Sequence, residues 1–446
     1  MNKKKLLISC ALLLFTSPIL WAQTQKTDIA AMERSIDSVA TQGTEKGAYP
    51  GCQIVIVQNG HTVLSKCYGY HSAMTRRKVQ PTDLYDLASV TKTTATLPAI
   101  MRLYEQGKVK LTDKVSTFLP FLRHTDKENI TIEDLLFHES GLPSTISFYY
   151  KAIDPKSVTG ELLQETPDKD HVAQIDKNCF ISQFKYRKNA IAANKDKTHT
   201  LHVYDNMWLD KSYMDTLKCD IVKYKYQPHH YQYSDIGFIL LQWVVESITK
   251  CSLSDYVEKE FYLPMRATRT LFLPSRRYEK REIVPTVTQD ALRNAKEICG
   301  YTQDEVAAYM GGVAGEAGLY STASDLAKIY QMYLNKGTLN GKRYLKESTC
   351  TLFETRQSKI SHRGLGFDRP KTKKSAQGST GQIIPASSFG HGGFTGTNVW
   401  VDPENKLIYV FLCNRVSPFP WNTRLMDLGI FPQLQKAIYS HIPKAH

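Results

Sequence analysis

Ser89 and Lys92, in the stretch Leu87-Ala88-Ser89-Val90-Thr91-Lys92-Thr93-Thr94, place a hydroxyl and an amine one helical turn apart. At a helix start the two side chains share a face. An amine that takes the serine's proton turns the hydroxyl into a nucleophile. The helix end adds free backbone N–H groups and a dipole that favours negative charge at the reacting carbon. Two other S-x-x-K matches exist, at Ser182…Lys185 and Ser247…Lys250. The first lies in a basic, irregular stretch and the second at the end of an apolar helix pattern, so the motif alone does not choose between them.

Two later segments single out Ser89. Tyr233-Ser234-Asp235 stands just before a buried helix pattern opening at Gly237, and a phenol there can carry a proton. His391-Gly392-Gly393-Phe394-Thr395-Gly396-Thr397 leads into a strand, and its glycines allow close backbone approach. In this order the three segments resemble the serine β-lactamase and penicillin-binding-protein superfamily. The likeness is greatest to its class C branch, with the related esterases and D-amino-acid peptidases. It runs from about Tyr49 to Arg415 and includes Leu136-Phe137-His138-Glu139-Ser140-Gly141-Leu142-Pro143 and Ala314-Gly315-Glu316-Ala317-Gly318-Leu319-Tyr320-Ser321-Thr322-Ala323. The chain is also similar to serine-hydrolase modules that some bacteria fuse to a β-N-acetylglucosaminidase, a link to cell-wall turnover by association.

The resemblance implies roles. Ser89 attacks a carbonyl and forms an acyl-enzyme, and Lys92 takes its proton, which near neutral pH requires a lowered lysine pKa. Tyr233 shares the base role and passes a proton to the leaving group. The backbone N–H groups of Ser89 and Phe394 form an oxyanion hole, with Gly392 and Gly393 letting the strand approach. His391 stands where the family has lysine. It either orients Tyr233 or offers a switchable charge to a substrate carboxylate. Asp235 departs from the branch's asparagine: an ionised carboxylate only accepts, so it is expected to pair with Lys92 and hold it charged. That weakens β-lactam and transpeptidase chemistry more than ester chemistry.

The expected function is an exported serine hydrolase acting through an acyl-enzyme on an ester or small amide. The alternatives are a D-alanyl-D-alanine carboxypeptidase or weak β-lactamase, and a non-hydrolytic penicillin-binding or sensor protein. The substrate is a small ester, β-lactam or D-amino-acid peptide, with peptidoglycan as a polymeric partner. No metal or organic cofactor is required. The pairs His199/His202 and His229-His230 have only loose metal-ligand spacing and read as solvated, and His138-Glu139 lacks the second histidine of H-E-x-x-H. No G-x-S-x-G occurs, which excludes an α/β-hydrolase elbow.

The elements that must position these residues follow from local pattern. Residues 28–40 carry Ile29, Met32, Ile36 and Val39 at helical spacing. Residues 53–57 and 62–64 flank Asn59-Gly60, a hairpin signal. A two-residue turn there would set Cys52 opposite Cys67, as two thiols packed like small apolar groups. A helix from Ser89 to near Gly107 carries Pro98, where a kink is expected. Residues 145–228 show weak periodicity and are taken as loops and short helices. Strands are expected at 397–401 and 407–412, and a last helix at 424–439. Strands at both chain ends with helices between them predict an α+β fold. One antiparallel sheet is built from the two ends and flanked by helices, with an inserted helical subdomain. The sheet-bearing part covers about 23–88 and 285–446, the insert about 89–284.

With 446 residues the chain can bury a large core. Lys3, Lys4 and Lys5, the apolar run 6–20 and Trp21-Ala22 read as a signal peptide over 1–22, giving a periplasmic or secreted protein with no stable membrane span after cleavage. Leu7-Ile8-Ser9-Cys10 resembles a lipoprotein box, but Cys10 comes too early to leave an apolar region before it. Losing the leader takes three positive charges from +14, leaving +11, much of it between Lys151 and Lys225. That excess reads as a solvated basic surface or attraction to an anionic wall polymer; no nucleic-acid motif accompanies it. Eight cysteines remain after Cys10 without C-x-x-C spacing, which disfavours zinc and thioredoxin-like chemistry.

Overall fold

The computed structural model describes residues 27–370 and 383–443. The signal peptide expected at 1–22 lies outside the described residues. Among those described, no single helix is long and apolar enough to cross a membrane.

A five-stranded antiparallel sheet joins the two ends of the chain. Its strands are β1 (Gly51–Gln58), β2 (His61–Gly69), β3 (Phe389–Gly392), β4 (Asn398–Asp402) and β5 (Leu407–Cys413), in the order β3-β4-β5-β1-β2. Alternation along each strand divides the side chains between two cores. Ile54, Ile56, Trp400, Tyr409 and Phe411 face α1 (Ile29–Glu45) and the C-terminal helix Ile430–Tyr439. Val55, Val57, Val399 and Val410 face the larger core, which includes Leu326 and Ile329 of the helix Ala323–Leu334. Each such side chain, fully buried, stabilises the fold by about 2 kcal/mol. Asp28 caps α1 by accepting from Ala31 N at 3.0 Å.

The Asn59-Gly60 turn forms with both residues at positive φ, 51° and 79°, as a two-residue hairpin demands. Beyond it the register differs from expectation. Gln58 faces His61, but an irregularity between Ile56 and Val57 sets Cys52 opposite Tyr68, and Cys67 opposite Gln53. One extra residue in β2 shifts every later pair by one. On its other side Cys52 faces Cys413 of β5; both are buried free thiols.

The insert also differs from expectation. Residues 145–228 hold two small three-stranded sheets as well as the helix Tyr213–Lys223. The strands of these sheets are two to six residues long, too short for a period to show. Their turns are nonetheless ordinary: Asp176 pairs with Cys179, and Tyr204 with Met207. His199 is buried rather than solvated, bonded to Asp196 and to the Asn189 carbonyl at 2.8 Å each. His202 stacks on Trp208 at 4.0 Å. Among the described residues no cluster of His, Cys, Asp or Glu is arranged to hold a metal.

Candidate active site

The segment before Ser89 is pinned from three directions. The short strand Tyr85–Asp86 pairs with Leu319–Ser321. The buried Asp86 carboxylate accepts from Ala88 N at 2.9 Å and from Gln303 N at 2.7 Å. From the turn after β3, Thr395 donates to the Asp86 carbonyl at 2.7 Å and Thr397 to the Leu87 carbonyl at 2.9 Å. These bonds hold Ala88 in the left-handed region, φ 45°. For a residue with a Cβ that conformation costs roughly 1–3 kcal/mol, and here it sets the turn that carries the nucleophile.

After Ser89 the chain enters a π-helical turn, Lys92–Thr96, before the α-helix Leu97–Glu105. Pro98 lies inside this continuous helical run; its missing N–H leaves the Thr94 carbonyl to accept from the Tyr262 hydroxyl at 2.9 Å, and the π-helical turn lies directly before it. Lys92 is fully buried; its Nζ donates to Ser89 Oγ at 3.0 Å and to the Glu316 carbonyl at 3.1 Å.

Tyr233 enters the helix Asp235–Thr249, α-helical from Asp235 onward and capped by Ser234, whose Oγ accepts from Gly237 N at 3.2 Å. Ser234 N donates to His138 Nδ1 at 3.0 Å, and the His138 ring stacks on Tyr233 at 4.4 Å. Lys92 Nζ lies 5.2 Å from the Tyr233 ring centre and Arg363 5.1 Å from it. The ring therefore has two cations within about 5 Å of its centre. Burial, with Asp235, raises the phenol's pKa above the ordinary value, and the Lys92 and Arg363 charges and a bond to Ser89 offset that only in part.

Asp235 reaches Lys92 Nζ at 2.6 Å, as its type led us to expect. Burial works against the lysine's charge, but Asp235, with Tyr233 and Glu316, carries its pKa above the ordinary value. The lysine pKa is thus raised, rather than lowered as a base role would require.

His391, on β3, is buried and lies 6.2 Å from Tyr233 ring to ring. Its Nδ1 donates to the Gly392 carbonyl at 2.7 Å, which leaves Nε2 to accept from Arg363 at 3.4 Å. Burial, reinforced by the Arg363 charge, pushes His391 down to about 3. It stays neutral near pH 7 and offers no switchable charge. The cation beside it is Arg363, held charged against its burial chiefly by Asp368.

Gly393 is pressed against the serine segment: a Cβ there would lie 2.4 Å from the Leu87 carbonyl and 2.1 Å from Thr397 Oγ1. Ser89, Tyr233, Asp235, His391, Gly392, Gly393 and Phe394 all line one cavity of about 1470 Å³, and Lys92 lies directly beneath Ser89. The lining also draws on distant parts of the chain: Ile175 and Asp176 of the insert, and Met426 and Phe431 near the C-terminus.

Three cavity residues escaped the sequence reading: Arg363, Asp304 and Glu316. Glu316 stands within the family-like segment 314–323, and its signal is a carboxylate between Gly315 and Ala317 in an otherwise apolar stretch. Arg363 and Asp304 sit on loops without a spacing that marks them.

Residues 36–175 and 190–427 match the family model described as Beta-lactamase. The chain is 30% identical over 406 residues to the N-acetylmuramyl-L-alanine amidase of Bacillus subtilis (strain 168), covering 86% of this chain and 80% of that protein. It is 27% identical over 392 residues to a Salmonella gallinarum (strain 287/91 / NCTC 13346) protein named for D-alanyl-D-alanine carboxypeptidase activity, covering 82% and 79%. Among solved structures it resembles EstCE1, a hydrolase with promiscuous acyltransferase activity, with TM-score 0.60, 19% identity and coverage of 92% and 99%. It also resembles a class C β-lactamase, with TM-score 0.61, 15% identity and coverage of 92% and 99%.

Proposed function

The chain belongs to the β-lactamase family of serine hydrolases, and on that premise we propose that it hydrolyses an ester or small amide through an acyl-enzyme on Ser89. The carrying observation is the Ser89 Oγ–Lys92 Nζ contact of 3.0 Å at the floor of a cavity that Tyr233 and His391 also line. Because Asp235 holds Lys92 charged, we assign the proton-acceptor role to the Tyr233 oxygen; burial and Asp235 hold its pKa above the ordinary value, and the nearby Lys92 and Arg363 charges partly offset that rise. The Tyr233 oxygen takes the Ser89 proton as Oγ bonds to the carbonyl carbon. The carbonyl oxygen gains the negative charge, facing the N–H groups of Ser89 and Phe394. Collapse breaks the bond to the leaving group, which takes the proton back from Tyr233. Water then repeats the cycle on the acyl-enzyme. The leader at 1–22 supports export, so the substrate is met outside the cytoplasm. Ser89→Ala is the test: hydrolysis of p-nitrophenyl butyrate falls by at least about a thousandfold, and activity that survives removes Ser89 from the mechanism.

Arg363 favours a second substrate class within the same chemistry, a peptide ending in D-alanyl-D-alanine. Its guanidinium stands beside His391 at the cavity wall, where it supplies the positive charge that His391 lacks. Release of D-alanine from such a peptide and labelling by a fluorescent penicillin are the expected results; absence of both removes this class.

A further inference from the structure

Cys52 and Cys413 meet where the two ends of the chain join in the sheet. Cys52 is the second residue of β1 and Cys413 the last of β5. The two strands pair without a break in register from Gln58 and Leu407 to Cys52 and Cys413. The phase of this ladder is set at its far end, where Asn59 N donates to Lys406 O at 2.9 Å. Hydrogen-bonded pairs then recur at every second residue, at Val57–Ile408, Val55–Val410 and Gln53–Leu412. Cys52 and Cys413 are therefore a non-hydrogen-bonded pair. In such pairs the Cα atoms approach to about 4.5 Å and the side chains are at their closest. That separation falls within the roughly 4.4–6.8 Å that a disulfide bridges.

Both side chains enter the same core, with Tyr49, Ile54 and Phe411, and both are fully buried. Cys67 does not compete for either: it stands opposite Gln53 and packs against the other core. Burial, and then the neighbouring Cys413 sulfur, hold the Cys52 thiol well above its ordinary range. The folded protein thus offers little thiolate for exchange, and a bond between the two has to form as the sheet closes. Cys413 also lies beneath the β3–β4 turn. Its Sγ donates to Gly396 O at 3.3 Å, and a Cβ on Gly396 would fall 2.4 Å from that sulfur. A cross-link at Cys413 therefore ties β1 to the strand that underlies the turn carrying Phe394.

We propose that Cys52 and Cys413 are joined by a disulfide when the chain folds in an oxidising compartment. A small or protein-borne disulfide is the oxidant. The Cys52 thiolate attacks one of its sulfurs, and the other leaves as a thiol. The Cys413 thiolate then attacks the Cys52 sulfur and releases the second thiol. Two cysteine thiols become one S–S bond, the oxidant becomes two thiols, and both cysteine protons pass to it. The bond closes a loop over most of the chain, which restricts the unfolded state. For the test, the full-length chain is made by cell-free synthesis in oxidised glutathione and, in parallel, in dithiothreitol. Soluble protein is alkylated and digested with trypsin without reduction. Cleavage after Lys46, Lys66, Lys406 and Arg415 releases Cys52, Cys67 and Cys413 in separate peptides. The oxidised protein yields the Cys52 peptide joined to the Cys413 peptide, two hydrogens lighter than their sum, and Cys413→Ser does not. The linked protein melts about 5 °C above its reduced form. Cys413→Ser, or Cys413→Ala where serine does not fold, melts alike under both conditions. Free thiols at both positions, linkage of either to another cysteine, a linked protein that melts no higher, or no soluble protein from the oxidising synthesis overturns the proposal. None of these outcomes depends on hydrolysis.

Discussion

At the level of single residues, the decisive departure is a carboxylate where the family has an amide. Asp235 raises Lys92 and also raises Tyr233, so both proton carriers release their protons only at higher pH than they otherwise would. Asp235→Asn removes that negative charge from both. The rise of log kcat/KM with pH for p-nitrophenyl butyrate then moves to lower pH, by about one unit or more. The added N–H donor also improves amide turnover relative to ester turnover. His391, neutral down to about 3, contributes no inflection between pH 5 and 8. A profile for Asp235→Asn that superimposes on the wild type would show that Lys92 is not titrating in the rate-limiting step.

At the level of elements, the site depends on how closely the β3–β4 turn meets the serine segment. Gly393 leaves no room for a methyl group against the Leu87 carbonyl. Gly393→Ala forces that turn away and displaces Phe394 N from Ser89. A shift on the order of 1 Å costs about a hundredfold in kcat/KM, while the melting temperature, set mainly by the two cores, falls far less; equal loss of both would mean the turn is structural only. These elements were legible to different degrees. Ser89, Lys92, Tyr233 and His391 were found because each sits in a short motif beside a helix start or a glycine turn, which the backbone itself requires. The hairpin at Asn59-Gly60 was legible for the same reason. The extra residue in β2 was not, because an apolar pattern does not register a one-residue irregularity until the partner strand is known. The strands of residues 163–210 were missed because stretches of two to six residues carry no measurable period. Arg363 and Asp304 were missed because they reach the cavity from loops, by contacts made only in three dimensions.

For the whole molecule, the acids that line the cavity link stability to pH. Burial and neighbouring acids hold Asp304 up at about 6, and burial holds Glu305 up at about 7, against roughly 4 when unfolded. The folded chain therefore binds more protons than the unfolded chain between about pH 4 and 7. That contribution to stability is complete below about pH 4 and is lost as pH rises through the folded values. Asp304→Asn removes one of these charges while keeping the helix cap, so its melting temperature at pH 7.5 rises by roughly 2 °C; at pH 4 the gain disappears. No gain at pH 7.5 would mean that burial does not destabilise the Asp304 carboxylate. The lining of that cavity carries a different consequence. Ile175 and Asp176 arrive from a small sheet in the insert, and Met426 and Phe431 from the last helical stretch, while the reacting groups stand on other segments altogether. Selectivity and reactivity thus have separate addresses in the gene. Grafting either border from a relative would retune which molecules are admitted without disturbing how they are cleaved.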